Sequence, residues 1–404
     1  MRNSPSPPKK RSSPTRSEDN TSESDNVRTS QPVTRAHKLI TAVVLAVMIA
    51  TMAAMSARSG IRMGGDSPLY LDGAQDLVEG DSLEGIEIAY AGYIAFLAGV
   101  QAIGLGLGAI VFLQVVAASM AGVALYAVVA GHLNRVVGVI AAGLLLLNPD
   151  ITRWHAYILT DSLYVSAVVF SVWAIANANA KRGMWLWFAP IVVVLSSTIR
   201  PSGWILIPAV ISFWVASKTA KWFHQLAALI LTFVIFSAVV GASPLRERLE
   251  SAAPGEKLST GVVIPGYQPS WISMPEDPQG SGSDLGAAFG YVGRHPIATA
   301  RLALVRIGVE LAGVRPYYSP KHNLVVGVLL ALIYLTAIRG LGVLRKTRLN
   351  LLLGIVIGAH LAFIALSFAT YDGRFLIYVL PLIGIYSAAG AGSMWKRLRA
   401  SSYL

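Results

Sequence analysis

The chain contains no cysteine. This excludes disulfides, thiol nucleophiles and thiolate metal sites together, and leaves the redox compartment unread. Charge is scarce as well: only 13% of residues are Asp, Glu, Lys or Arg, about half the share of an ordinary soluble domain. Of the seven histidines, those at 155, 295, 322 and 360 show no HxxxH-like spacing, so no dedicated zinc site is expected. The little charge there is leans to one side, with a net +12 over 404 residues. Where those cations sit decides whether they speak for nucleic acid or for a membrane.

Apolar residues make up 54% of the chain and recur in runs near 20 residues, long enough to cross a hydrocarbon core of about 30 Å. The fold class is therefore an all-α polytopic membrane protein. Ten spans are expected, at about 39–57, 109–130, 135–152, 162–179, 184–200, 202–217, 222–242, 323–343, 349–369 and 375–394. Residues 1–36 are Ser, Thr, Pro and charge, too polar to offset the entropy of ordering, and read as a disordered cytoplasmic tail. Residues 37–395 form the membrane domain, and 396–404 a basic cytoplasmic tail.

Two further stretches compete as spans. Residues 297–315 carry Arg301, Arg306 and Glu310 inside; each charge at bilayer centre costs about 2.5–3.5 kcal/mol, so this helix is expected at the interface. Arg306 and Glu310 stand i, i+4 and can pair. Residues 89–108 are apolar but Gly-rich and run straight into the next span. Charge counting tests the placement of this second stretch. The expected cytoplasmic turns and ends, from Arg135 through Lys181, Lys218 and Arg348 to Arg399, hold twelve cations and no acid. Everything assigned to the far side holds thirteen cations and seventeen acids. That is the positive-inside pattern, and a crossing at 89–108 would invert every later loop. The segment is therefore expected to dip into or lie along the outer face. Both termini are cytoplasmic, outer loops run over 58–108 and 243–322, and no nucleic acid is implied.

Without thiols, carboxylates and arginines must carry any chemistry. Asp66 sits in RMGGDSPLY just past the first span, where two glycines permit a tight turn. A carboxylate there can serve as general base on a hydroxyl, or be one solvated acid among seven in 58–88. Asp161, in NPDITRWHAYILTDSLY, opens the fourth span; it reads as a site residue or as a partner of the helix dipole. Arg200 in TIRPSG and Arg374 in YDGRFLIY stand at outer helix ends, suited to a lipid phosphate or to snorkelling; Asp372 is an alternative partner for Arg374. Arg315 follows in the same loop series. Tyr70, His155, Tyr267 and Trp271 are candidate sugar or acceptor contacts, with headgroup anchoring as the other reading of the aromatics.

Taken in order, these landmarks resemble the C-type integral-membrane glycosyltransferases, the group of the protein O-mannosyltransferases and the lipid A aminoarabinose transferase. GDSPLYLDGAQDLVEG is similar to that family's first outer loop, and AYAGYIAFLAGVQAIGLG to its juxtamembrane helices. NPDITRWHAYILTDSLYVSA resembles the second loop, TIRPSGWILIP the Arg-Pro-x-Gly hairpin, and YDGRFLIYVLPLIGIYSAAGAG the closing helix. One departure is that Ser67 follows Asp66 where the family often has Asp-Glu. The resemblance implies a polyprenyl-phosphate-linked sugar as donor and a lipid, glycan or protein hydroxyl as acceptor. Asp66 would be the base, with inversion at the anomeric carbon. Arg200, Arg374 and Arg315 would hold the departing phosphate, and Asp161 would orient the acceptor or a cation. No cofactor is called for; a divalent metal is left open without any residue indicating one. The rival readings are a lipid-linked sugar flippase or transporter, an outer-face polysaccharide polymerase or ligase, and a non-catalytic scaffold.

Overall fold

The computed structural model describes residues 35–181, 183–218, 223–227, 230–232, 254–276 and 285–401. Nearly all of the expected 1–36 tail and most of the span at 222–242 lie outside these residues, as do parts of the loop 243–322 and residues 402–404. The chain divides into two units, 1–40 and 41–404. Of the first, the described residues 35–40 are the opening turns of a helix; the packing and the candidate site belong to the second.

Among the described residues these helices carry the architecture: α1 Arg35–Ser59, α2 Ser67–Glu79, α3 Ala91–Ala102, α4 Leu107–His132, α5 Arg135–Leu146, α6 Thr160–Lys181, α7 Trp185–Ser197, α8 Leu206–Ala216, α9 Leu285–Arg294, α10 Pro296–Ala312, α11 Pro320–Leu344, α12 Arg348–Leu366 and α13 Arg374–Ser401. Their ends follow local chemistry. Asn134, Ser319 and Thr347 each accept a backbone N–H from the first turn of α5, α11 and α12, satisfying donors that a helix start leaves free. Gly80 and Gly313, at φ 96° and 66°, close α2 and α10 in the left-handed conformation that glycine adopts without strain.

Among the described residues seven segments are long and apolar enough to cross a membrane, or eight if Arg135–Leu146 and Pro149–Ala156, bent by 47°, form one broken span. The count of ten is thus not reached. The expected spans at 184–200 and 202–217 are the shorter helices Trp185–Ser197 and Pro201–Ala216, interrupted at Arg200, whose backbone is extended at φ −161°. One of the seven, Gly85–Ala102, is the stretch expected at the outer face. Hydrogen bonds tie its neighbours together: Arg62 bridges Tyr157, Gln114 donates to the Tyr157 carbonyl at 2.9 Å, and Tyr93 donates to Gln114 at 3.2 Å. Arg62 and Gln114, on either side of this stretch in sequence, thus stand beside the same residue.

Helix α6 is central, with both faces buried in the main apolar cluster, while α1 packs through Leu45 and Met52 on Ala118, Ala142 and Leu146. Helices α11 and α13 cross closely. A Cβ at Gly340 would strike the Tyr386 carbonyl and one at Gly390 the Thr336 carbonyl, so two glycines let the backbones meet. The Arg306–Glu310 pairing is corrected. Arg306 donates instead to the carbonyls of Val262 (2.8 Å), Lys257 (2.9 Å) and Ala365 (3.0 Å). Glu310 pairs with Arg315 at 3.3 Å. Both side chains are turned inward and hydrogen-bonded there, Arg306 by three backbone carbonyls and Glu310 by Arg315 and the Thr370–Leu376 turn, as buried charged groups require. Burial pulls Arg306 down to about 10, which leaves it protonated at neutral pH.

Candidate functional site

Asp66 and Asp161, ninety-five residues apart, are joined by a short backbone bridge. Arg62 N–H donates to the Ala156 carbonyl and Ile158 N–H to the Arg62 carbonyl, each at 2.9 Å. Ser67 locks the next turn: its hydroxyl donates to the Ile158 carbonyl at 2.8 Å and accepts the Gly64 N–H at 2.8 Å. A Cβ at Gly64 would press on the Leu159 side chain, which would have to shift to admit it. Two residues beyond Ile158 the chain enters α6, which places Asp161 in its first turn with no exposure. Asp66 immediately precedes α2 with its side chain 48% exposed. One acid is sealed and the other faces outward.

Arg374, the first residue of α13, reaches both. Its Nη1 lies 3.4 Å from Asp66 Oδ2 and 3.7 Å from Asp161 Oδ2. Arg200, at the α7–α8 break, donates to Asp161 Oδ1 at 3.1 Å. The Tyr378 hydroxyl sits between Arg200 and Asp161 Oδ1, in contact with both. Tyr378 does not stand out in the sequence, where it looks like one more apolar residue of the last span. The available signal is its place four residues after Arg374, on the same helix face. Aromatic rings line the cations: the Arg200 guanidinium is 4.6 Å from the Tyr378 ring, 5.4 Å from Phe375 and 5.7 Å from Tyr164. Arg374 lies 5.9 Å from Trp154. Two carboxylates and two guanidiniums balance in charge, the condition under which such groups tolerate burial.

The other expected residues are distributed more widely. Tyr70 is buried against Tyr90 and Tyr93, at 5.0 and 5.2 Å. Burial, with Tyr90 and Asp66 adding to it, pushes its phenol well up, so it stays neutral. His155 is buried behind the site with Nδ1 2.7 Å from the Ser162 hydroxyl. Tyr267 and Trp271 join a separate small cluster: Tyr267 meets Tyr317 at 5.2 Å, and Trp271 Nε1 donates to the Ile264 carbonyl at 3.1 Å. Asp372 does not pair with Arg374 through its side chain; its carbonyl accepts from Arg153 at 3.0 Å. Arg315 stands apart from the cluster. It is buried, held by Glu310 and by the carbonyls of Val309, Val314 and Thr370, and is not free to take a ligand phosphate. Among the described residues no three His, Asp or Glu side chains gather as they would around a metal ion.

The arrangement can bind an anion and accept a proton. Arg374 makes only long contacts to its carboxylates and is 28% exposed, so an incoming phosphate can share its fork. Asp66, beside it, is accessible to a hydroxyl.

Comparisons with known proteins bear on this geometry. Residues 92–242 match the family model described as dolichyl-phosphate-mannose-protein mannosyltransferase. The oligosaccharyltransferase AglB of Archaeoglobus fulgidus, solved with an inhibitory peptide and a dolichol-phosphate, superposes with a TM-score of 0.52 at 14% identity over 92% of this chain. The apo form of the A. fulgidus oligosaccharyltransferase gives 0.51 at 14% identity over 90%. A form tethered to an acceptor peptide gives 0.50 at 16% identity over 90%. This chain spans about half the length of those proteins, 52%, 51% and 50%. No curated protein sequence gives a significant match.

Proposed function

We propose that this polytopic chain, which has the C-type membrane glycosyltransferase fold, transfers a sugar from a polyprenyl-phosphate donor to a hydroxyl acceptor at the extracytoplasmic membrane face, with inversion. The observation that carries the reading is the shared Arg374: it touches an exposed and a buried carboxylate at once. The partial match to a mannosyltransferase family and the dolichol-phosphate in the archaeal neighbour support a lipid-phosphate donor.

The donor's tail lies in lipid and its phosphate rests against Arg374, backed by Arg200. The acceptor hydroxyl gives its proton to Asp66 as its oxygen attacks the anomeric carbon from the face opposite the phosphate. The carbon–oxygen bond to phosphate breaks as the new glycosidic bond forms, and polyprenyl phosphate leaves with the electron pair. Arg374 meets the charge developing there, the term on which such sites depend most. Asp161, sealed and held by Arg200 and Tyr378, fixes both arginines. Asp66 then returns its proton to water. The described basic residues Lys181, Arg345, Lys346 and Arg348 lie at the helix ends opposite the acids, where Arg348 donates to Asn179 at 3.0 Å, which supports an outward-facing site with cytoplasmic termini.

The test is transfer by purified protein in lipid, supplied with radiolabelled polyprenyl-phosphate mannose or arabinose and a membrane extract. A labelled product is expected, reduced by about 10²–10⁴-fold in Asp66→Asn, the usual worth of a general base. Label that only changes leaflets, equally fast in both proteins, overturns the reading in favour of a flippase.

A further inference from the structure

Arg374 has little of its own to hold it. Its two carboxylate contacts are long, at 3.4 and 3.7 Å, and its ring contact with Trp154 is loose at 5.9 Å. The position of its guanidinium is therefore set by the backbone that delivers it, the turn from Thr370 to Leu376. Gly373, at φ 69°, makes that turn sharp.

The turn is gripped by side chains that none of the preceding chemistry uses. Glu310, on α10 and fully buried, accepts four hydrogen bonds. Oε2 takes the Thr370 N–H at 2.7 Å and Arg315 Nη2 at 3.3 Å; Oε1 takes the Thr370 hydroxyl at 2.9 Å and the Leu376 N–H at 3.0 Å. One carboxylate thus holds the backbone on both sides of Arg374. Three carbonyls of the turn are taken as well. Thr370 accepts from Arg315 Nη2 at 3.1 Å, Tyr371 from the Tyr317 hydroxyl at 2.5 Å, and Asp372 from Arg153 Nη2 at 3.0 Å.

We propose that Glu310, with Arg315 as its counter-ion, is a positioning residue that clamps the Thr370–Leu376 turn so that Arg374 stands between Asp66 and Asp161. The clamp itself follows from geometry alone; its effect on turnover rests on the transferase reading above. Only a carboxylate fits the role. Glutamine offers one acceptor oxygen, and its amide would turn N–H groups toward the N–H donors of Thr370 or Leu376. The turn must then move, and a displacement near 1 Å at a positioned group costs about 10²-fold in rate.

The experiment uses the full chain in lipid nanodiscs, with two readouts. Because the chain has no cysteine, Asp372→Cys carries the only spin label. Its mobility is expected to rise in Glu310→Gln and, more mildly, in Thr370→Val, which removes one of the four bonds and keeps the carboxylate should the first variant fail to fold. A label equally immobile in both overturns the proposal, whatever the protein catalyses. The second readout is a double-mutant cycle on transfer. Glu310→Gln should lower kcat/KM for the donor about 10²-fold, with donor KM rising as the phosphate loses its seat on Arg374, and about 2-fold or less in the Arg374→Lys background, because the two act as one unit. Equal losses in both backgrounds overturn the positioning role. A loosened label in a protein that turns over no donor leaves the clamp standing and removes the transferase reading instead.

Discussion

Asp66 and Asp161 share one arginine but stand to lose different things when neutralised. Asp161 is sealed, and its replacement by Asn strands Arg200 without a countercharge. Breaking a buried pair from one side costs about 3–5 kcal/mol, so Asp161→Asn is expected to melt well below the parent in a thermal unfolding series. Asp66 is half-exposed; Asp66→Asn should stay within about 0.5 kcal/mol of the parent while losing transfer. Equal stability in both variants would contradict the placement of Asp161. Tyr378→Phe keeps the Arg200–Asp161 contact and removes one hydroxyl, for an expected loss of about 1 kcal/mol. The same contrast marks what is legible in single residues. Asp66, Asp161, Arg200 and Arg374 stand out in sequence as charges abutting apolar runs. Arg315 stands out in the same way, yet it is spent on Glu310 and on carbonyls of its own loop. No sequence spacing separates the two cases, because the contact that turns Glu310 and Arg315 inward is the Thr370 turn, sixty residues beyond Glu310 along the chain. Tyr378 is hidden for the opposite reason, a polar tip on an apolar ring inside an apolar helix.

Among elements, α11 and α13 give the sharpest test, because glycines of identical appearance do opposite things. A side chain on Gly340 would enter the Tyr386 carbonyl, whereas one on Gly354 of α12 meets nothing within 4 Å. Gly340→Ala is therefore expected to destabilise by about 1–3 kcal/mol, the usual cost of overpacking. Gly354→Ala should be neutral or gain up to about 1 kcal/mol from helix propensity. Melting temperatures of the two variants side by side check this, and equal shifts would mean that the helices do not cross at Gly340. The count of ten is not confirmed among the described residues for a related reason. The expected spans 184–200 and 202–217 part at the right place, but hydropathy does not show how much helix the junction consumes: Arg200 is extended there and a 3-10 turn follows from Pro201. The break that shortens two helices is also what aims Arg200 at Asp161. A local irregularity of this kind leaves no trace in average hydropathy.

At the scale of the whole molecule, topology and chemistry stand or fall together. Charge counting places 89–108 on the outer face, while length and composition alone admit Gly85–Ala102 as a span. The hydrogen bonds linking Arg62, Tyr157, Gln114 and Tyr93 bring the two flanks of that stretch to one place. Single cysteines introduced into this cysteine-free chain can decide the matter. Leu105→Cys and Gln268→Cys should react with a membrane-impermeant maleimide in intact cells. Met184→Cys and Lys346→Cys, at exposed positions of the basic ends, should react only after permeabilisation. Labelling of Leu105→Cys together with the Met184 group would mean that Gly85–Ala102 does cross, and that the bridge between Arg62 and Tyr157 is wrong. Inversion of all four would move Asp66 and Arg374 to the cytoplasm, where nucleotide sugars are available, and the argument for a lipid-phosphate donor would lose its main reason. The expected pattern keeps that reason intact: an acid and an arginine on a face with no soluble activated sugar can only draw on one delivered through the bilayer.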